Sequence, residues 1–112
     1  MKAVISLLAL GLMASPALAE TKSFNDVSVI DVMCSKKAAA NPDAHTRACA
    51  LQCAGSGYGI LTSDGKFLKF DSEGNSKMAE ELKASKKTDH LRVNVSGDVE
   101  GDTLKVASVQ LL

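Results

Sequence analysis

An Asp-Gly pair set between two strand-like runs constrains this chain more than any other local feature. Residues 58–62 and 66–70 are apolar and aromatic-rich, and Ser63-Asp64-Gly65 lies between them. Glycine takes positive φ at little cost, so such a pair predicts a β-hairpin. A second hairpin is predicted near the C-terminus. Leu91, Val93 and Val95 alternate with Arg92, Asn94 and Ser96, and Leu104 and Val106 resume the pattern beyond Gly101-Asp102. Val109 and Leu111 fall out of phase with Leu104 and Val106, which a β-bulge near Ala107-Ser108 would repair.

Upstream, residues 27–34 are rich in β-branched side chains and read as a first strand. Asn41-Pro42-Asp43 can start a helix and Gly55-Ser56-Gly57 can stop it, which leaves room for one helix of about three turns. Residues 75–83, with Met78 and Leu82 one turn apart, read as a second short amphipathic helix. The order is therefore strand, helix, hairpin, helix, hairpin. Five strands with a helix between the third and fourth is the order of the OB-fold, a closed Greek-key β-barrel, so a mainly β barrel with two short helices is expected. Closure would also remove the sheet edges that an open α+β sandwich, the competing architecture, leaves exposed. The expected core includes Val29, Ile60, Leu68, Leu91, Val93, Val95 and Val106.

The N-terminus reads as an export signal. Met1-Lys2, the apolar run 3–13, Ser15-Pro16 and the ending Ala17-Leu18-Ala19 supply a charged start, a greasy middle and an A-x-A cleavage site. The apolar run is shorter than the about 17–25 residues that span a bilayer. The chain thus divides into a signal peptide at 1–19, a flexible tail at 20–26 and one barrel domain at 27–112. The expected location is periplasmic or secreted, with no membrane span after cleavage.

An exported chain with an odd number of cysteines needs a reason for the unpaired thiol. The three are Cys34, Cys49 and Cys53, and His45, Cys49 and Cys53 recur every four residues. On one helix they would share a face within about 80° of arc. Thiolate sulfur and imidazole nitrogen suit copper or zinc, so Cys34, His45, Cys49 and Cys53 form a candidate ligand set if the end of the first strand lies beside the helix. A disulfide is the alternative. Cβ atoms at i and i+4 of a helix lie about 5–6 Å apart where a bridge wants about 3.8 Å, so Cys34 would have to pair with Cys49 or Cys53. On that reading the domain is a disulfide-stapled structural or protein-interaction module without metal.

The pattern Val32-x-Cys34, His45-x3-Cys49-Ala50-x2-Cys53, Gly55, Gly59-Ile60-Leu61 and Asp64-Gly65-Lys66 resembles a family of small exported bacterial proteins with an OB-like barrel. The resemblance runs from about Val27 to the C-terminus. It implies a periplasmic domain associated with metal or redox chemistry, and it supplies neither a reaction nor a substrate.

Other chemistries are disfavoured. Removing Lys2 from the 13 basic residues leaves 12 against 13 acidic ones, and no basic cluster stands out, so nucleic acid is not expected as a partner. A protein partner remains open. Haem attachment needs C-x2-C-H, whereas Cys49 and Cys53 are separated by three residues and followed by Ala54. A thiol-redox protein is the third reading, although the C-x2-C of thiol-disulfide enzymes is missing and no catalytic residue is assigned. His90 reads as a surface or strand-capping residue, and Asp98, Glu100 and Asp102 as a solvated turn, since their spacing fails the twelve-residue calcium loop.

Overall fold

In the computed structural model, residues 20–112 are described; the expected signal peptide lies outside them. Five strands, β1 (Glu20–Asp31), β2 (Tyr58–Leu61), β3 (Phe67–Phe70), β4 (Arg92–Glu100) and β5 (Thr103–Leu111), close into one barrel in the order β1-β2-β3-β5-β4. All neighbours are antiparallel except β3 and β5, which pair in parallel at Lys69↔Thr103 and Phe70↔Leu104. This is an OB-like barrel. The described helices are α1 (Ser35–Ala38), α2 (Arg47–Gln52) and α3 (Ser72–Ala84), with 3-10 turns at Val32–Cys34, Pro42–Ala44 and Ala54–Ser56. None of the described helices is long and apolar enough to cross a membrane.

Closure depends on β1 serving two neighbours. Its first half pairs with β4 from Glu20↔Val99 to Phe24↔Val95, and after an irregularity between Phe24 and Val27 its last residues pair with β2 up to Asp31↔Tyr58. Asp26 takes φ 54° at that irregularity, where its backbone N–H donates to Asn94 Oδ1 at 2.9 Å. Residues 20–26 are therefore strand, not the flexible tail expected from the sequence. Thr21, Lys22 and Ser23 are exposed, and only Phe24 packs against the core from this half. Its regularity comes from backbone pairing with β4, to which apolar periodicity is blind.

The expected hairpins form. Gly65, at φ 86°, turns the first, with its N–H bonded to Thr62 O at 2.9 Å. In the second, Ser96 faces Ser108 while Gly97 faces Val106, which leaves Ala107 as the extra residue of a bulge. An ideal Cβ on Gly97 would lie 2.1 Å from Lys105 O, so only glycine allows the two backbones to approach so closely.

The core fills the barrel and the space under α3. Ile60, Val93, Leu104, Met78 and Leu82 are fully buried, and burial of each such side chain contributes about 1.5–3 kcal/mol. All seven core positions expected from the sequence are buried. Helix α3 begins a turn earlier than expected because Asp71 caps it. One of its carboxylate oxygens accepts from Gly74 N at 3.0 Å and from Val106 N at 3.1 Å, tying the helix start to β5.

The region between β1 and β2 departs most from expectation. The strand expected to reach Cys34 stops at Asp31, whose side chain accepts from Cys34 N at 3.0 Å and starts a 3-10 turn over Val32–Cys34. The single helix expected after Asn41 is divided. A 3-10 turn at Pro42–Ala44 ends at His45, which is extended (φ −72°, ψ 130°), and Thr46 Oγ1 then accepts from Cys49 N at 3.1 Å to begin α2. Threonine competes for the backbone N–H groups here and wins as a cap. His45 is therefore not on a helical face shared with Cys49 and Cys53.

Candidate metal centre

The candidate centre is built where β1 ends. Asp31 is the last residue of the strand and is fully buried, an uncommon place for a carboxylate unless it is partnered. Both of its oxygens are engaged: Oδ2 accepts from Cys34 N, and Oδ1 accepts from His45 Nε2 at 2.6 Å. The His45 side chain is only 8% exposed, so the pair is shielded and the imidazole orients the carboxylate.

Two sulfurs face this carboxylate. One ligand atom each from Asp31, Cys34 and Cys53 lie within 4.8 Å of one another. Cys34 comes from the 3-10 turn that Asp31 caps, and Cys53 from the C-terminal cap of α2. Two links join these segments. Val32 N donates to Gly57 O at 2.8 Å, and Ser56 Oγ accepts from Met33 N at 3.1 Å while donating to Cys53 O at 2.9 Å. Beneath them Tyr58 is buried and its hydroxyl donates to Ala50 O at 2.8 Å, anchoring α2 to the barrel.

The electrostatics follow from this crowding. Burial, the Asp31 carboxylate and the nearby Cys53 all push the Cys34 thiol above its ordinary range. Burial and the same two groups also raise the Tyr58 hydroxyl. Three potential anions within 4.8 Å repel one another, and a cation placed among them would offset that repulsion by attracting each of them. An activated cysteine nucleophile requires the opposite, a lowered pKa.

Of the sequence-derived ligand set, Cys34 and Cys53 are brought together in the three-residue group. His45 reaches the group through Asp31. Cys49 is exposed on α2 and is not a member of the group. All three cysteines are free thiols in the structure. Asp31 and Met33, whose Sδ lies 4.0 Å from Cys53 Sγ, were not in the set. Asp31 did leave a signal: a lone acidic residue inside the β-branched run Val27-Ser28-Val29-Ile30-Asp31-Val32 needs a partner if that strand is buried.

No protein-family model matches this chain, and no curated protein or solved structure does either.

Proposed function

We propose that this chain is a small exported binding domain that holds a soft metal ion, copper or zinc, between Cys34 and Cys53 beside Asp31, and that it works in the periplasm or outside the cell. His45 orients the carboxylate and is not a direct ligand. The observation that carries this reading is the convergence of two thiols and a buried carboxylate within 4.8 Å. Thiolates select soft or borderline ions, and a carboxylate at such a centre is commonly fixed by a further hydrogen bond, as Asp31 is by His45.

Metal analysis of the reduced protein after equilibrium dialysis against Cu(I) or Zn(II) tests it. One ion per chain is expected, lost in Cys34→Ser and Cys53→Ser and retained in Cys49→Ser. His45→Ala should weaken binding by about 10–100-fold without abolishing it. A parent protein that retains no ion, or a Cys49→Ser variant as defective as Cys34→Ser, would overturn the assignment.

The same sulfur pair supports a second reading, a Cys34–Cys53 disulfide. Such a bridge would close the segment between β1 and the end of α2 and stabilise the domain by about 3 kcal/mol through the unfolded state. Intact mass and thiol titration of the exported protein distinguish the two: a bridge leaves one titratable thiol and a mass lower by two hydrogens, whereas a metal centre stripped of its ion leaves three thiols.

A further inference from the structure

Met33 is next to Cys34 on the 3-10 turn, and its Sδ lies 4.0 Å from Cys53 Sγ. The backbones of these two residues share one clamp, because the Ser56 hydroxyl accepts from Met33 N and donates to Cys53 O. Around a three-coordinate ion with metal–sulfur bonds of about 2.3 Å, two sulfurs at 120° lie about 4.0 Å apart. The observed separation is the one a shared trigonal ion would impose. As a free thiol, Cys53 donates to Met33 Sδ across that gap, and Met33 is 71% exposed.

We infer that Met33 is a third ligand and that the centre is a copper(I) site of three sulfurs, Met33, Cys34 and Cys53, with the thioether on its solvent side. The inference rests on the proposed role of Cys34 and Cys53 as ligands and adds the identity of the ion. Copper(I) accepts thioether and thiolate together, whereas zinc takes thiolate, imidazole and carboxylate. A zinc ion in the same place would turn to Asp31 and ignore Met33. The two ions thus differ in the neighbour they recruit: Asp31 is fully buried and rigidly bonded, and Met33 is exposed on rotatable bonds. A thioether in that position can exchange while both thiolates stay bound, which suits delivery of copper(I) to, or receipt from, a second thiol- or thioether-bearing site.

The test compares the parent with Met33→Leu, a change of similar volume at an exposed position that should leave the fold intact. Anaerobic competition with bathocuproine disulfonate measures copper(I) affinity, competition with a chromophoric zinc chelator measures zinc affinity, and X-ray absorption counts sulfurs around copper. Met33→Leu should lose at least about tenfold in copper(I) affinity, the loss that even outer-shell changes cause, with zinc affinity unchanged. The sulfur count should fall from three in the parent to two. Ser56→Ala, which frees the clamp, should weaken copper(I) in the same direction. A parent that binds copper(I) through Cys34 and Cys53 with two sulfurs, and a Met33→Leu variant of equal affinity, would remove Met33 and leave the two-cysteine centre standing. A parent that binds neither ion would remove both.

Discussion

Replacing Asp31 with alanine removes two buried hydrogen bonds at once, and the structure sets the size of the loss. The cap on Cys34 N contributes about 1 kcal/mol. The His45 Nε2 donor, 8% exposed at the side chain, would be stranded at a cost of about 1–3 kcal/mol. Together Asp31→Ala should lose about 2–4 kcal/mol, a large part of the about 5–14 kcal/mol that holds a domain of this size together. Thermal unfolding should move down by roughly 10–25 °C. Asp31→Asn keeps an acceptor for Cys34 N at nearly the same volume and should lose less, about 1–2 kcal/mol. Urea denaturation of the metal-free, reduced protein followed by circular dichroism provides the assay, with alkylation of Cys34 as a second readout. Both variants remove the charge that helps to raise the Cys34 thiol, so alkylation at mildly alkaline pH should be faster in each. A loss below about 0.5 kcal/mol for Asp31→Ala, or equal losses for Ala and Asn, would refute the argument that Asp31 acts through these two bonds.

Two further outcomes are expected. Gly97→Ala should cost about 1–3 kcal/mol or prevent folding, because its Cβ would meet Lys105 O at 2.1 Å, whereas Gly55→Ala, with nothing within 4 Å, should be nearly neutral; equal urea midpoints would contradict the bulge geometry. Metal affinity should rise with pH, since the raised Cys34 thiol is protonated at neutral pH and must give up its proton to bind, by up to about tenfold per pH unit for that one group; an affinity constant between about pH 6 and pH 8, measured by chelator competition with proton release in weak buffer, would exclude Cys34 as a ligand.

How far the fold could be read from residues depended on what each residue buries. Val93, Val95 and Val106 are written into the sequence at period two because one face of the strand is the core, and the phase break at Val109 located the bulge at Ala107. The first half of β1 carries no such alternation, since Phe24 alone packs on the core and the rest of its order comes from pairing with β4 and from Thr21 donating to Asp98. The helix around Cys49 was misread for a different reason. Asn41 and Thr46 can both cap, and local composition does not show that Thr46 wins or that His45 is drawn out of helical geometry to reach Asp31. The approach of Cys34 to Cys49 or Cys53 was legible from chain reach and from the chemistry of cysteine, and the structure selects Cys53. The choice of Asp31 and Met33 as their company was not, because it depends on the capped turn at the strand end.

That turn belongs to an excursion spanning residues 32–57, which leaves the barrel after Asp31 and returns at Tyr58. Asp31↔Tyr58 is a rung of the β1–β2 ladder, and Val32 N to Gly57 O closes the base just beyond it. The strands end where the excursion begins, so no rung of the barrel ladder lies within it, and it is held instead by Ala50 in the core, by Tyr58 Oη donating to Ala50 O and by Arg47 N donating to Thr88 O. Cooperativity should therefore come in two units: amides within the excursion should exchange by local opening, while those of β4 and β5 wait for global unfolding. Met33, Cys34 and Cys53 all lie within the excursion and Asp31 alone belongs to a strand, so the sulfur donors can be exchanged for others while every paired residue of the barrel keeps its identity.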